Sequence, residues 1–114
     1  MIDLYLDTLI RVRAEPVEDV YGNPDAHRDW AGASRTLISR MSVQPGEMME
    51  EVGNRPFVTS TARAYSAPGN IPDFKPTDRA EWNGAEWEIH GDIRIYSIRG
   101  GPHHVEFNLR RVAG

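Results

Sequence analysis

The chain of 114 residues contains no cysteine, which excludes disulfides, thiolate nucleophiles and zinc sites with cysteine ligands. Small secreted domains often need such cross-links, so the absence favours an intracellular origin. The sequence also has no apolar run near the ~20 residues of a membrane-spanning helix. At its start, Asp3 and Asp7 interrupt the apolar positions and no basic region precedes them, so we expect no signal peptide.

Positive charge is scarce as well. The formal net charge is −4, and Lys75 is the only lysine among 13 basic residues. A dedicated nucleic-acid-binding protein usually presents a basic face, so this balance disfavours that class. Small barrels of the OB type nevertheless bind single strands, and a barrel can bring together arginines that are scattered in sequence. Those on the predicted strands are Arg11, Arg13, Arg35, Arg40, Arg63, Arg94 and Arg110.

No segment shows a convincing helical periodicity. Apolar residues instead alternate with polar ones, which is typical of half-buried β-strands. The apolar residues that three of these stretches place on one face are Leu4, Leu6, Ile10, Val12 and Ala14, then Leu37, Met41 and Val43, and finally Val105, Phe107 and Leu109. Further strands are expected at residues 57–65 and from Ile93. Six or seven short strands without a helical crossover predict an antiparallel barrel or sandwich in one domain, residues 1–114.

The clearest local signal is Asn83-Gly84, which predicts a hairpin with a two-residue type I′ turn because that turn needs φ > 0 at both central residues. The register then pairs Trp82 with Ala85 and Ala80 with Trp87. Apolar residues fall on one face, and the exception, Asp78, is explained if the strand starts one residue later. We interpret the two tryptophans as core residues, with a ligand platform as the alternative. Residues 78–112 are predicted to form a meander of three or four strands.

Long connections are predicted at residues 15–33, 44–56 and 66–77, and such loops in a small domain are usually functional or disordered. The second stands out. It begins with Pro45-Gly46, ends with Gly53-Asn54 and holds two methionines and three glutamates between them. One interpretation is a mobile, solvated hairpin tip. The other is a segment that orders against copies of itself or a partner, since methionine suits adaptable contacts.

The sequence offers no strong catalytic motif. It lacks a Gly-x-Ser-x-Gly elbow and a glycine-rich phosphate loop leading into a helix. His103 and His104 are neighbours at the start of a strand, so their side chains are predicted to point to opposite faces and not to share a metal. Asp25, His27 and Asp29 could be drawn as metal ligands, but a solvated polar loop is the better interpretation. We therefore expect no enzyme, no cofactor and no metal site.

Six short pieces spread along almost the whole chain carry a resemblance to a known family. In chain order they are Tyr21-Gly22-Asn23, Asp29-Trp30, Val43-Gln44-Pro45, Thr77-Asp78-Arg79, Trp87-Glu88-Ile89-His90-Gly91 and Gly101-Pro102-His103-His104-Val105-Glu106. Each piece alone is common. Their order and spacing resemble the small head-to-tail stopper proteins of long-tailed bacteriophages, also called head-closure or head-completion proteins.

This resemblance implies a virion structural protein of the neck, the head-tail connector, and not an enzyme. The fold it implies is all-β, a small antiparallel β-barrel of six to seven strands with long functional loops. Such proteins form a dodecameric ring below the portal adaptor, retain the packaged double-stranded DNA and offer the tail a docking surface. The implied partners are other copies of the chain, the portal adaptor, the tail terminator and the DNA in the channel, with assembly in the host cytoplasm and no membrane.

The resemblance also implies site residues by position. The segment between the second and third strands would close the channel, and its residues are Gln44, Pro45, Gly46, Glu47, Met48, Met49, Glu50, Glu51 and Val52. Candidates for contact with the adaptor or a neighbouring subunit are Tyr21, Asn23, Asp29 and Trp30. Two alternatives remain open: a tail terminator or minor tail protein of the same particle, and an OB-like nucleic-acid-binding module.

Overall fold

Eight β-strands make up the architecture of the part of the chain that the structure describes. In this computed structural model the described backbone covers residues 4–18, 21, 24–52 and 55–112, and the described side chains exclude residues 24–26, 47–52 and 55–59. The strands are β1 (Asp7–Arg13), β2 (Pro16–Glu18), β3 (Pro24–Arg28), β4 (Ser34–Val52), β5 (Arg55–Ser66), β6 (Arg79–Trp82), β7 (Ala85–Ile98) and β8 (Gly101–Arg111). Among these residues no helix is long and apolar enough to cross a membrane.

Six of the strands close into an antiparallel barrel in the order β1-β4-β5-β8-β7-β6. The ring closes where β6 returns to β1, with Ile10 opposite Glu81 and Val12 opposite Arg79. Strands β2 and β3 pair with each other in a separate two-stranded sheet. The prediction of an all-β fold built on a small antiparallel barrel of six to seven strands is therefore confirmed, with six strands in the barrel.

The barrel interior is filled by apolar side chains from every barrel strand. Its buried cluster consists of Leu9, Met41, Val43, Ala62, Ala64, Phe74, Ala80, Trp87, Ile89, Val105, Phe107 and Leu109. Phe107, Leu109 and Val105 alternate along β8, as the sequence pattern predicted. Val12 and Ala14 are also buried, but they lie outside this cluster.

The hairpin of β6 and β7 has the predicted register. Trp82 lies opposite Ala85 and Ala80 opposite Trp87, and the turn residues Asn83 and Gly84 have φ values of 53° and 75°. Trp87 is buried in the core, whereas Trp82 is half-buried and packs against it, with 5.9 Å between the ring centroids. The interpretation of the tryptophans as core residues is therefore right for Trp87, while Trp82 lies at the edge of the core and also faces solvent.

Two predicted strand faces are wrong, and in β4 the cause is a bulge. Arg40 in β4 has φ 58°, and the β1–β4 register slips by one residue between Asp7 and Leu9 because β4 carries the extra residue there. A bulge adds a residue on one strand, which changes the face that the following side chains occupy. Met41 is consequently buried while Leu37, assigned to the same face, is 72% exposed. In the first stretch Leu4 and Leu6 are exposed. Val12 and Ala14 are buried, but outside the core cluster, to which β1 contributes Leu9.

Another irregularity lies in β7. The strand continues from Ala85 to Ile98 through Gly91, so the separate strand predicted to start at Ile93 does not exist and the meander has three strands. Gly91 has φ 81°, and the β7–β8 register shifts between His90 and Arg94. A positive φ is a conformation that glycine adopts at little cost.

The long connection predicted at residues 66–77 is present as irregular structure between β5 and β6, at residues 67–78. It covers one end of the barrel, because Phe74 is buried there with its ring centroid 4.7 Å from that of Phe107. Ala67 donates its N–H to the carbonyl of Arg40, and Gly69 donates to His103. The connection is therefore part of the packed fold.

The turn at Gly84 allows a test of the hairpin. A Cβ added at Gly84 would meet no atom within 4 Å, so Gly84→Ala should cost only the strain of its φ of 75°. We expect a loss of about 1 kcal/mol in the free energy of unfolding, measured by urea denaturation. Gly46→Ala is the matched control, because Gly46 has an ordinary φ and its added Cβ would lie 3.7 Å from Thr61 Oγ1. Equal stability of the two variants would contradict the turn assignment.

Candidate functional site

Strands β4 and β5 form a hairpin that is longer than the barrel. Their register runs without interruption from Met41 opposite Ser66 to Val52 opposite Arg55. On the β1 side, pairing with β4 ends at Met41, and on the β8 side, pairing with β5 ends at Thr61. Residues 47–52 and 55–60 therefore extend past the barrel wall as a two-stranded ribbon, which we call the β4–β5 ribbon.

Both long edges of the β4–β5 ribbon lack a neighbouring strand within the described part of the chain. The last contact from β1 is made by the Asp7 carboxylate, whose Oδ2 accepts the N–H of Val43 at 2.8 Å. An unpaired strand edge presents backbone N–H and C=O groups that another chain can pair with. The ribbon is thus a ready site for strand addition.

The segment predicted to close a channel, residues 44–52, coincides with the β4 half of this hairpin. The prediction that residues 44–56 form a loop is wrong, since residues 44–52 belong to β4 and 55–56 to β5. Pro45 and Gly46 suggested a break, but a proline is tolerated on a strand edge where no N–H is needed for pairing. The side chains of Glu47, Met48, Met49, Glu50, Glu51 and Val52 lie outside the described residues.

The base of the ribbon carries a polar row that crosses four strands. Gln44 pairs with Arg63, Arg63 with Asn108, and Asn108 with His90. These residues line a shallow cleft of about 280 Å³ together with Gly46 and Thr61. The Arg63 guanidinium also lies 5.6 Å from the ring centroid of Tyr65. No local sequence signal indicated this row, because its members come from four distant parts of the chain.

The four predicted interface residues belong to the excursion that contains β2 and β3. Asn23 lies outside the described residues, and Tyr21 is exposed between the two strands. Asp29 Oδ1 accepts the N–H of Gly32 at 3.1 Å, and the Arg79 guanidinium lies 4.0 Å from the Trp30 ring centroid. The structure thus brings Asp29 and Trp30 into one turn and ties that turn to β6 through a cation–π contact.

The adjacent histidines do not point to opposite faces, so that prediction is wrong. The β7–β8 register shifts between Tyr96 and Ser97, and a bulge places neighbouring side chains together. His103 Nδ1 and His104 Nδ1 are 2.9 Å apart, and the His104 ring stacks on Tyr96 at 5.0 Å. Glu106 Oε2 approaches the other nitrogen of His104, Nε2, at 3.5 Å. Within the described residues no three such side chains are arranged to hold a metal ion.

A cluster of one arginine and two aspartates sits at the covered end of the barrel. Arg13 donates from Nε and Nη2 to the two carboxylate oxygens of Asp78 at 3.0 and 2.8 Å, and from Nη1 to Asp73 at 3.1 Å. Asp78 is buried and also accepts the N–H of Lys75 at 2.7 Å. The hydrogen bonds to Asp78 raise the pKa of Arg13, and the Arg13 hydrogen bond lowers the pKa of Asp73. These contacts hold residues 73–78 against β1, which is a structural role.

Comparisons with known proteins add a fold relationship. The sequence matches no protein-family profile and no curated protein. Among solved structures it is similar to a chain from the virion of a native gene transfer agent particle, with 19% identity and a TM-score of 0.59 over 96% of this chain and 97% of that chain. It is also similar to the protein xkdH of the phage-like element PBSX from Bacillus subtilis, with 14% identity and a TM-score of 0.39 over 92% and 90%. The first likeness shows a shared fold, and the second is too distant to add to it.

The Arg13 cluster predicts different effects for its two carboxylates. Asp78→Asn should cost about 3 kcal/mol of unfolding free energy, because it removes the buried carboxylate that accepts two hydrogen bonds from Arg13 and leaves that guanidinium only the exposed Asp73. Asp73→Asn should cost much less, since the Asp73 side chain is 68% exposed. The pKa of Asp73 is lowered by folding, so its contribution is present above the pKa of the unfolded chain, near 4, and disappears as the pH falls through the folded value.

Thermal unfolding of the three proteins between neutral and acidic pH would check this. The difference in Tm between wild type and Asp73→Asn should disappear at acidic pH. An Asp78→Asn protein as stable as Asp73→Asn at neutral pH would contradict the structural role of the buried pair.

Proposed function

We propose that the chain is a structural protein of a phage or phage-like particle, and that copies of it form a ring in the neck below the portal adaptor. The ring would close the DNA channel after packaging and offer the tail its docking surface. The β4–β5 ribbon is the observation that carries this proposal. The shared fold with a chain from a gene transfer agent virion, and the resemblance of the sequence to head-to-tail stopper proteins, support the same setting.

The ribbon edges explain how copies would join. If ribbons of neighbouring subunits point in the same direction, β4 of one runs antiparallel to β5 of the next. The unpaired edges could then bond into one continuous antiparallel sheet. Two different edges meet in such a contact, so it is head-to-tail. Repeated head-to-tail contacts build a ring when the rotation from each subunit to the next adds up to a full turn. Pro45, Pro56 and the glutamates along the edge would limit pairing with unrelated strands.

The length of the ribbon suits a closure role. Residues 47–52 extend six positions beyond the last residue at the barrel wall, which is ~20 Å at a rise of ~3.3 Å per residue. Two ribbons from opposite sides of a ring would therefore span ~40 Å between them. Glu47, Glu50 and Glu51 are proposed to face the DNA, where repulsion from phosphates would keep a gate from sticking to its cargo.

The remaining partners are assigned by position. We propose that the excursion with Tyr21, Asn23, Asp29 and Trp30 contacts the portal adaptor or a neighbouring subunit, and that the opposite side of the ring meets the tail terminator. The cation–π contact between Trp30 and Arg79 gives this excursion a fixed attachment to the barrel. A role as tail terminator or minor tail protein would use the same fold and a different place in the particle.

The nucleic-acid-binding alternative receives less support from the barrel surface. Several of the arginines that could contact phosphates are bonded within the chain: Arg13 to Asp78, Arg35 to Glu81, and Arg110 to Glu88. Arg11 donates to the carbonyl of Asp73. A single-strand-binding surface needs basic groups that are available to the backbone of the nucleic acid.

Shortening the ribbon tests the proposal. Removing residues 47–52 and 55–60 leaves Gly53-Asn54 between Gly46 and Thr61. These two residues already lie opposite each other in the β4–β5 pair, so the shortened hairpin still ends in a two-residue connection. We expect this chain to fold, since the barrel pairs remain, and particles that carry it to lose their packaged DNA. Nuclease protection of particle DNA is the measurement.

Two further results decide what the ribbon does. Replacing Glu47, Glu50 and Glu51 with glutamine keeps the length and removes the charge, so this control should retain DNA if the ribbons close the channel by occupying it. Particles that keep their full genome with the shortened chain would contradict the closure role.

A further inference from the structure

A second hairpin also extends past the barrel, at the opposite end from the β4–β5 ribbon. Pairing between β5 and β8 stops at Tyr65 opposite Glu106, so residues 101–105 of β8 pair only with β7. Because β8 runs antiparallel to β5, its N-terminal part lies away from the ribbon tip. The apolar residues Ile95 and Ile98 on this hairpin are 60% and 54% exposed, and Tyr96 is partly exposed beside them. We call residues 94–100 the β7–β8 ridge.

A groove with both apolar and polar walls lies on the outside of the barrel along β1, β4 and the β6–β7 turn. It has a volume of about 540 Å³. The apolar part of its wall is formed by Ile10, Leu37, Trp82 and Ala85, with Glu81 and Glu86 at its side. Leu37 is the most exposed of these, and its exposure results from the bulge at Arg40 described above.

The ridge and the groove lie far apart in one molecule. Both include residues of β7, but the groove uses its first residues, Ala85 and Glu86, whereas the ridge begins at Arg94. Eight residues of extended strand span ~26 Å, so the groove and the ridge can meet only between two copies. Exposed apolar side chains that lie close together, as Ile95, Tyr96 and Ile98 do on the ridge, are typical of interaction surfaces.

The charges of the two surfaces are opposite. The ridge carries Arg94 and Arg99, and neither has an ion-pair partner among the described residues. The groove is flanked by Glu81 and Glu86, whose side chains stay partly exposed while contacting Arg35 and Arg79. Complementary charge around an apolar contact favours one orientation of docking.

We infer that the groove of one copy receives the β7–β8 ridge of the next copy. The contact is head-to-tail, because two different surfaces meet. This inference rests on the proposed ring and adds a second contact between its subunits. In both contacts the β1 side of one copy meets the β8 side of its neighbour. Ile98 enters the apolar part of the groove near Leu37, and Arg99 approaches the glutamates.

The absence of native cysteine makes a cross-linking test clean. Full-length Leu37→Cys and Ile98→Cys proteins are prepared separately, then treated with a short bis-maleimide alone and as a mixture. The mixture should give covalent dimers and each variant alone only background. Val17→Cys mixed with Ile98→Cys is the matched control, because Val17 is an exposed apolar residue outside both surfaces. The Leu37 and Ile98 pair should exceed this control at least about tenfold.

Each result decides the inference. Dimers of single variants as abundant as those of the mixture would show a symmetric or random contact and overturn it. A yield of cross-linked dimer in the mixture no higher than in the Val17 control would also overturn the inference. The groove would then bind some other partner. The same pair placed in the ribbon-shortened chain separates the two proposals, since this contact should persist there. Cross-linking that persists while particles keep their DNA would contradict channel closure and leave the contact standing.

Discussion

The barrel depends on β1, which is the strand that closes it. β1 pairs with β4 along one edge and with β6 along the other, and the ladder to β6 contains only three residue pairs. Such a short ladder provides few backbone hydrogen bonds, so closure needs support from side chains. Arg13 supplies it, because its bonds to Asp73 and Asp78 hold the connection before β6 in place and thereby position the start of that strand.

Closure of the barrel leaves excess strand length at both ends. The two strands of the β4–β5 pair continue past one end, and those of the β7–β8 pair continue past the other. Within the closed wall each strand has two partners, whereas beyond it the backbone edges and apolar side chains are free to contact another chain. The surfaces that we assign to self-association are therefore a direct result of unequal strand lengths on a small barrel.

The features that the sequence predicted correctly depend on local signals. Asn83 and Gly84 determine a turn, the turn sets the register, and the register places Ala80 and Trp87 in the core. The apolar alternation of Val105, Phe107 and Leu109 likewise needed no knowledge of the neighbours. Asp78 was the one misfit in the hairpin, and the strand indeed starts one residue later, at Arg79, so that Asp78 lies before it and accepts a hydrogen bond from Arg13.

The features that were missed depend on distant contacts. The bulge at Arg40 has a positive φ at a residue type that rarely adopts it, so nothing in the local sequence indicates the change of face. Tertiary context stabilises it, since the carbonyl of Arg40 accepts the N–H of Ala67. The ribbon was missed because Pro45 and Gly46 usually end strands. The polar row at its base joins residues that only the closed barrel brings together.

Cryo-electron microscopy of intact particles or isolated necks tests the central claim most directly. The account predicts a closed ring of small barrels directly below the portal adaptor, with the β4–β5 ribbons directed into the channel. A neck that lacks this chain, or a ring whose ribbons point away from the axis, would contradict it.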